Sequence, residues 1–240
     1  MRGTFVVQNY IEYASSFDPR ITSRIRGVEP GRIAVFEKLV GRPLPASYRA
    51  FLEVMGADDG GLNITVDGTA SIDDLIAYYR EELKPGVWEP PPDTIIIGVG
   101  SISLPEIGLL CAANEEPRVV FVTNKQVLGP YAASLEKLLF RLVFGCYRMN
   151  QEPKAFYTSS YESIGRKHVL AQARDLSVSL GFAALEFSDD VSFSGEKPGA
   201  AISISQYAKE GMSMVITANR QEEVDRIGAV FVQNFNVRKV

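Results

Sequence analysis

The chain has few residues of the kinds that carry most enzyme chemistry. Its 240 residues include one histidine, two cysteines and one tryptophan. A single histidine and two cysteines far apart, Cys111 and Cys146, cannot form an ordinary zinc site. His168 also has no GxSxG nucleophile elbow to work with, so a Ser-His-acid triad is not expected. The sequence therefore favours a protein that is not an enzyme, and we expect no cofactor and no metal.

Nucleotide motifs and membrane-spanning stretches are absent too. No GxxxxGK[ST] loop occurs, and the stretch Gly98-Val99-Gly100-Ser101 lacks the third glycine of a dinucleotide fingerprint. No run approaches the ~18 apolar residues that span a bilayer, and the apolar stretch at residues 5–7 is too short for a signal peptide. Cys111 and Cys146 have no CxxC spacing, so buried thiols in a reducing compartment are favoured, with a disulfide left open. We therefore expect a cytoplasmic protein that does not contact a membrane.

Charge is distributed unevenly along the chain. The net charge is −4, but residues 53–93 contain ten Asp or Glu against only Arg80 and Lys84, whereas residues 1–52 have a net charge of +4. A surface that gathers these carboxylates would attract a basic protein and repel nucleic acid. The alternative is an acidic face that is merely solvated. The oligomeric state is left open.

The only tryptophan, Trp88, lies in a proline-rich stretch at residues 87–92. Prolines hold the backbone extended and withhold hydrogen-bond donors, so this stretch is expected to be a stiff, exposed loop. Trp88 either folds back onto the core or anchors a partner, because tryptophan is enriched at binding hot spots. The residues that we expect to bind a partner are Asp58, Asp59, Asp73, Asp74, Glu81, Glu82, Trp88 and Glu89.

Apolar periodicity predicts an α+β fold. A short strand is predicted at 5–7 and a short helix at 10–16. Further helices are predicted at 30–40, 45–55, 72–84 and 134–147, and strands at 62–66, 94–99, 107–111 and 118–122. Ser71 and Asp74 have the spacing of a capping box at the start of one of these helices. The short turns between the later strands favour an antiparallel meander.

Several residue types follow one another in a fixed order between residues 33 and 61: Glu37, Leu44, Pro45, Tyr48, Phe51, Leu52, Gly60 and Gly61. This order resembles the SUKH superfamily, which takes in the yeast cell-wall-assembly regulator and many bacterial immunity proteins. The sequence departs from the family pattern at Ser47, where an acid is common, and in the Gly-Ala-Asp-Asp run before the two glycines. The resemblance covers roughly residues 29–150. It implies a mixed sheet flanked by helices and an immunity-type protein that neutralises a cognate toxin, possibly a nuclease, by covering its active surface.

A linker at 150–154 divides the chain into two expected domains. Residues 1–150 form the SUKH-like domain, with residues 1–28 as an N-terminal extension, and residues 151–240 form a small α+β domain of unknown type. In the second domain a helix is predicted at 163–180, followed by strands at 182–187, 191–193, 200–204 and 212–216, a short helix after Asn219 and a last strand at 229–235. The alternative function is a regulatory or scaffold protein whose C-terminal domain binds a ligand or forms oligomers.

Overall fold

The computed structural model describes residues 2–65, 67–83, 86–100, 105–112, 116–159, 169–206 and 211–240. The chain forms two compact units, Met1–Leu142 and Val143–Val240. Each unit combines α-helices with an antiparallel sheet, so the predicted α+β class is confirmed. The division into two domains after residue 150 stays a prediction.

Five helices form the helical layer of the first unit. They are α1 (Arg2–Phe17), α2 (Ile21–Arg24), α3 (Pro30–Val40), α4 (Ala46–Met55) and α5 (Ile72–Glu81). The strand predicted at 5–7 is wrong, because α1 runs through these residues. Val7, Tyr10 and Ala14 follow at spacings of three and four, so they share the buried face of this helix.

The segment between α4 and α5 contains no strand at 62–65, the described part of the strand predicted at 62–66. Leu62 and Ile64 are both buried, as the alternation predicted, but Asn63 between them has a positive φ of 50°. That conformation turns the chain and is incompatible with an extended strand. Val66 lies outside the described residues. In this part the two-residue strands β1 (Ile25–Arg26) and β2 (Asp58–Asp59) pair with each other, and Thr69 forms an isolated antiparallel bridge with Val99.

A four-stranded sheet follows in the order β3-β4-β5-β6. Its strands are β3 (Thr94–Gly98), β4 (Glu106–Leu110), β5 (Arg118–Thr123) and β6 (Gln126–Ala132). All three strand pairs are antiparallel, so the meander predicted from the short turns is confirmed. The sequence does not predict β6, because Gly129 and Pro130 interrupt its apolar pattern.

The long helix predicted at 134–147 changes its winding partway along. Helix α6 (Leu135–Val143) continues into a π-helical turn, Phe144–Arg148, with a bond from the Met149 N–H to the Phe144 carbonyl at 2.9 Å. A π turn takes one more residue than an α turn, so it rotates the following side chains relative to the buried stripe. As a result Cys146 is exposed, which corrects the expectation of a buried thiol. Cys111 is buried as predicted, and the two cysteines are not joined.

The second unit is built on a six-stranded antiparallel sheet in the order β12-β7-β11-β10-β9-β8. Its strands are β7 (Lys154–Thr158), β8 (Ala183–Ala184), β9 (Ser192–Lys197), β10 (Ala200–Gln206), β11 (Met212–Ala218) and β12 (Arg238–Lys239). Two helices, α7 (Val169–Ser179) and α8 (Gln221–Phe235), contribute to the same core. Residues 163–168 of the predicted helix, with His168, lie outside the described part of the chain.

The last strand predicted from the sequence, at 229–235, is wrong. These residues complete α8, in which Val224, Ile227 and Phe231 are buried at helical spacings of three and four. The strand predicted at 182–187 is reduced to the two residues of β8.

Candidate functional site

Glu37 links α3 to the segment that starts α4. Its Oε1 accepts a hydrogen bond from the Leu44 N–H at 3.0 Å and a second from Arg49 Nη2. The bond from the Leu44 N–H is the main reason why the pKa of Glu37 is below its usual value, and the Arg49 guanidinium adds to the effect. The carboxylate therefore holds the Leu44-Pro45 corner in place.

The remaining residues of the family pattern shape the helical layer. Leu44, Tyr48, Phe51 and Leu52 are buried, and the Tyr48 ring stacks on that of Phe51 with centroids 6.0 Å apart. Pro45 directly precedes α4. Gly60 and Gly61 have φ angles of 76° and 84°, in the left-handed region that favours glycine. These residues thus account for the fold of this segment and form no exposed surface of their own, apart from the turn at Gly61.

Asp58 and Asp59 are half-buried and hold the glycine turn. Asp59 Oδ1 accepts hydrogen bonds from the Gly61 and Leu62 N–H groups at 2.9 and 3.2 Å. Asp58 Oδ1 accepts from the Gly60 N–H at 3.0 Å. Asp58 Oδ2 also forms an ion pair with Arg26 Nη2 at 3.4 Å, so both carboxylates have a structural role in this part of the fold.

Asp73 and Asp74 lie in the first turn of α5, where carboxylates are favoured by the helix dipole. Asp73 Oδ1 pairs with Arg32, whose Nε lies 2.7 Å away. Asp74 accepts a hydrogen bond from Thr69 Oγ1 at 2.7 Å, and the same hydroxyl accepts from the Ser71 N–H at 3.1 Å. The predicted capping box is therefore corrected, because the Ser71 side chain forms no capping bond and the Thr69 hydroxyl stands between the Ser71 N–H and the Asp74 carboxylate, which a capping box would join directly.

Asp58 and Asp59 line a polar groove between α4 and α5, and Thr69, the partner of Asp74, lines it as well. The Ile72 N–H donates to the Gly56 carbonyl at 2.9 Å, which holds the end of α4 against the start of α5. The groove has a volume of about 170 Å³. We call it the α4–α5 groove; the polar residues and glycines that line it are Gly56, Asp58, Asp59, Asn63, Thr65, Gly68, Thr69 and Ser71.

A second cluster forms around Trp88, at the other end of α5. The half-buried indole packs edge-on against the Tyr78 ring, with centroids 5.8 Å apart, and the Tyr78 hydroxyl donates to Glu106 at 3.1 Å. Burial is the main cause that raises the pKa of Tyr78, and the charges of Glu106 and Glu82 raise it further. Glu81 and Glu82 follow Tyr78 by three and four residues and are exposed on its side of the helix.

Hydrogen bonds fix the backbone on both sides of Trp88 to the β5–β6 turn. Asn124 Nδ2 donates to the Val87 carbonyl at 2.9 Å, and Asn124 Oδ1 accepts from the Glu89 N–H at 3.1 Å. The Lys125 N–H donates to the Glu89 carbonyl at 2.8 Å, and its ammonium lies 3.1 Å from Glu89 Oε1. The pKa of Glu89 is lowered, chiefly by a hydrogen bond from the Gly86 N–H and then by Lys125. The loop is thus held rigidly by its neighbours.

Large apolar side chains are exposed at the same place. Val87 is 68% exposed, and Val127 and Leu128, two and three residues beyond Lys125, are 41% and 39% exposed. Clusters of exposed apolar side chains with a polar rim are typical of interaction sites. We call this cluster the Trp88 corner; it consists of Tyr78, Glu81, Glu82, Val87, Trp88, Glu89, Val127 and Leu128.

Val127 and Leu128 are not predicted as site residues, because the strand that contains them, β6, is not predicted from the sequence. The two-residue connection Asn124-Lys125 between apolar stretches could have indicated β6, since it is typical of a hairpin whose turn needs positive φ angles. Lys125 has a φ of 59°, as such a turn requires.

The eight residues predicted to bind a partner therefore separate into two groups. Asp58, Asp59, Asp73 and Asp74 lie at or beside the α4–α5 groove, and the other four belong to the Trp88 corner. From residue 73 to residue 81 the helix rises about 12 Å, so a single partner could cover both groups. Their role in binding stays a prediction.

Within the described ranges, no group of three or more His, Cys, Asp or Glu side chains is arranged to hold a metal ion. No helix in the same ranges is both long and apolar enough to cross a membrane.

Comparison with known protein families matches residues 27–141 to the SMI1 / KNR4 family (SUKH-1). No curated protein and no solved structure matches the chain.

Proposed function

Residues 27–141 belong to the SMI1 / KNR4 family (SUKH-1), and from this premise we propose that the chain is an immunity protein that neutralises a cognate bacterial toxin by direct binding. Members of the family are generally non-enzymatic binding proteins, of the immunity type or of the cell-wall-regulator type. The toxin that we propose has a basic surface, as a nuclease has, and is bound in the cytoplasm.

The Trp88 corner is the observation that supports this proposal. The exposed side chain of Val87 directly precedes Trp88, and the exposed Val127 and Leu128 follow the turn whose Asn124 holds this loop. Glu81 and Glu82 are exposed at the end of the helix on which the indole packs. A protein interface usually has an apolar centre with aromatic anchors and a polar rim. A tryptophan near such a centre is the residue type found most often among binding hot spots.

The corner is also organised before a partner arrives. Asn124 and Lys125 hold the backbone of Val87 and Glu89 through three hydrogen bonds, and the indole of Trp88 rests on Tyr78. A loop that is already ordered loses little conformational freedom on binding. More of the contact energy therefore remains for affinity.

The carboxylates of the rim suit a basic partner. Glu81 and Glu82 are exposed and form no ion pair with any other residue that the structure describes. Exposed charges of this kind mainly raise the association rate, and salt weakens their effect. We therefore expect the association rate with the toxin to fall as the salt concentration rises.

The test is coexpression of the full chain with the toxin-like C-terminal domain of the protein encoded directly upstream of its gene. We expect the chain to restore growth and to form a stable complex with that domain. Trp88→Ala should weaken the complex by about 30-fold, the size of a hot-spot loss. Val127→Ser should weaken it less, and the matched control Val232→Ser, at 42% exposure against 41%, should leave it unchanged.

The proposal is overturned if the chain neither binds the toxin domain nor restores growth. It is also overturned if Trp88→Ala and the double variant Glu81→Gln, Glu82→Gln both bind like the unchanged chain, with the same salt dependence. Stable self-association of the full chain without toxin binding would instead support a regulatory or scaffold protein.

A further inference from the structure

We propose that the outer edge of β6 pairs at Val127 with an extended segment of the basic protein partner, which adds a strand to the sheet of the first unit. This inference rests on the proposed function and specifies how the partner is held at the Trp88 corner. The edge is available because β6 is the last strand in the order β3-β4-β5-β6.

The hairpin that joins β5 to β6 decides which backbone groups of β6 face outward. Thr123 and Gln126 pair across the two-residue turn, and the next pair along the hairpin is Val122 with Val127. The pair that closes a two-residue turn is hydrogen-bonded, and hydrogen-bonded and non-hydrogen-bonded pairs alternate along an antiparallel ladder. The N–H and carbonyl groups of Val127 therefore point away from β5.

These two backbone groups of Val127 are open to a partner. Within the described ranges, no loop backbone and no side chain forms a hydrogen bond with either group. The residue is 41% exposed, so both groups are accessible to water in the free chain. One residue of an added antiparallel strand can replace that water with two backbone hydrogen bonds.

The far part of this edge is closed by features that protect edge strands against pairing. Pro130 has no N–H, and the Tyr131 carbonyl already accepts a hydrogen bond from Arg141 Nη2 at 2.8 Å. The pairing of β6 with β5 also shifts its register at two places. Prolines and irregular pairing are common means of blunting a sheet edge. These features lie beyond Val127, so its own N–H and carbonyl stay accessible.

The open part of the edge belongs to the Trp88 corner. Asn124, in the turn that precedes β6, donates from Nδ2 to the Val87 carbonyl at 2.9 Å, so the turn and the loop are held together. Val87 and Leu128 both expose apolar side chains here. When a strand is added to a sheet edge, backbone hydrogen bonds contribute affinity and side-chain contacts contribute specificity. The corner offers both kinds of contact to one extended segment.

Charge favours a basic segment as the occupant of this edge. Glu81 and Glu82 are exposed at the end of the helix on which the Trp88 indole packs, and neither forms an ion pair with another described residue. An extended segment with lysine or arginine beside it is attracted by these carboxylates. A second copy of this chain would bring the same carboxylates to the edge, so repulsion between like charges disfavours self-pairing.

The test compares two variants in the complex of the full chain with the toxin-like domain encoded upstream. Val127→Ser removes the apolar side chain and keeps the N–H, whereas Val127→Pro keeps an apolar side chain and removes the N–H. Proline is tolerated where the N–H of an edge strand faces solvent, so the free Val127→Pro chain should melt at nearly the same temperature as the unchanged chain. We expect Val127→Pro to weaken the complex about tenfold more than Val127→Ser does.

Amide hydrogen exchange, followed by NMR, tests the pairing without any substitution. The Val127 N–H should exchange rapidly in the free chain and about tenfold more slowly, or slower still, in the complex. The Val122 N–H is the internal control, because it points from β5 towards Glu106 of β4 and should be protected in both states. If Val127→Pro does not fold, this measurement decides alone.

The inference is overturned if Val127→Pro folds and binds the toxin domain as well as Val127→Ser does, or if the Val127 N–H exchanges at the same rate with and without the domain. Either outcome leaves the proposed function intact where Trp88→Ala still weakens the complex. Protection of the Val127 N–H in the free chain that increases with chain concentration would also overturn it, in favour of pairing with a second copy. A chain that does not bind the toxin domain at all overturns both proposals, so the two failures are distinguishable.

Discussion

Removing the Glu37 carboxylate should destabilise the first unit. Its bond to the Leu44 N–H joins a charged acceptor to the backbone of a residue that is only 7% exposed. Hydrogen bonds of this kind contribute about 1.5–3 kcal/mol to stability. The pair with Arg49 adds less than about 1 kcal/mol, because the Arg49 side chain is 39% exposed. We therefore expect Glu37→Ala to lower the free energy of unfolding by about 2–3 kcal/mol. Glu37→Gln, which keeps an acceptor oxygen, should lower it by about 1 kcal/mol.

The assay is urea unfolding followed by tryptophan fluorescence. Trp88 is the only tryptophan in the chain and lies in the same unit as Glu37, so its signal reports the unfolding of that unit. The matched control is Glu53→Ala, which removes an exposed carboxylate from α4 and should change the free energy by less than about 0.5 kcal/mol. The slope of the free energy against urea should be the same for all variants.

The effect of Glu37 should depend on pH. Because its pKa in the folded chain is below the ordinary value of 4.5, the carboxylate stabilises the fold above that value. This stabilisation is lost as the pH falls through the lowered pKa. The difference between the unchanged chain and Glu37→Gln should therefore shrink on acidification below about pH 4.5. The reasoning is wrong if Glu37→Ala unfolds at the same urea concentration as Glu53→Ala, or if the difference from Glu37→Gln grows in acid.

Two further predictions concern the second unit, and both are measured as melting temperatures by far-UV circular dichroism. Gly228→Ala should lower the free energy of unfolding by about 1–3 kcal/mol, because its Cβ would lie 1.9 Å from the Tyr157 hydroxyl oxygen. The control Gly145→Ala, which has open space around its Cβ position, should have almost no effect. Equal melting temperatures for the two variants would contradict the close packing of α8 on β7. Arg226 first, and then Lys197, lower the pKa of Glu223 to about 2. Glu223→Gln should therefore destabilise the unit at neutral pH, and the difference in melting temperature from the unchanged chain should vanish as the pH falls from about 4.5 towards 2. A difference that stays constant over this range would refute the ion pairing.

Much of the helical layer could be predicted from the sequence because its signals are local. Phe51, Leu52 and Met55 are buried at helical spacings, and Gly41 ends α3 with a φ of 75°, as the pattern indicated. Residues 229–235 misled the prediction because they are rich in valine and phenylalanine, which favour strands. Val224 and the residues buried after it follow a helical spacing, and their packing outweighs the local preference for a strand.

The strands and the candidate site were harder, because they depend on residues far apart in the chain. The bonds of Asp59 to the next residues of its own turn follow a local rule and could have been foreseen. In contrast, the attachment of the Trp88 loop to Asn124 and Lys125 joins segments separated by about 36 positions, and no periodicity encodes it. The sequence therefore indicates where the acidic residues are, but not which of their carboxylates already form hydrogen bonds or ion pairs within the chain.

The π-helical turn at Phe144–Arg148 gives the chain a built-in attachment point for a reporter group. Because this turn brings Cys146 to the surface while Cys111 stays in the interior, a maleimide dye should modify one position of the unaltered protein. The fluorescence anisotropy of such a dye when a toxin domain is added would then follow complex formation without any engineered cysteine.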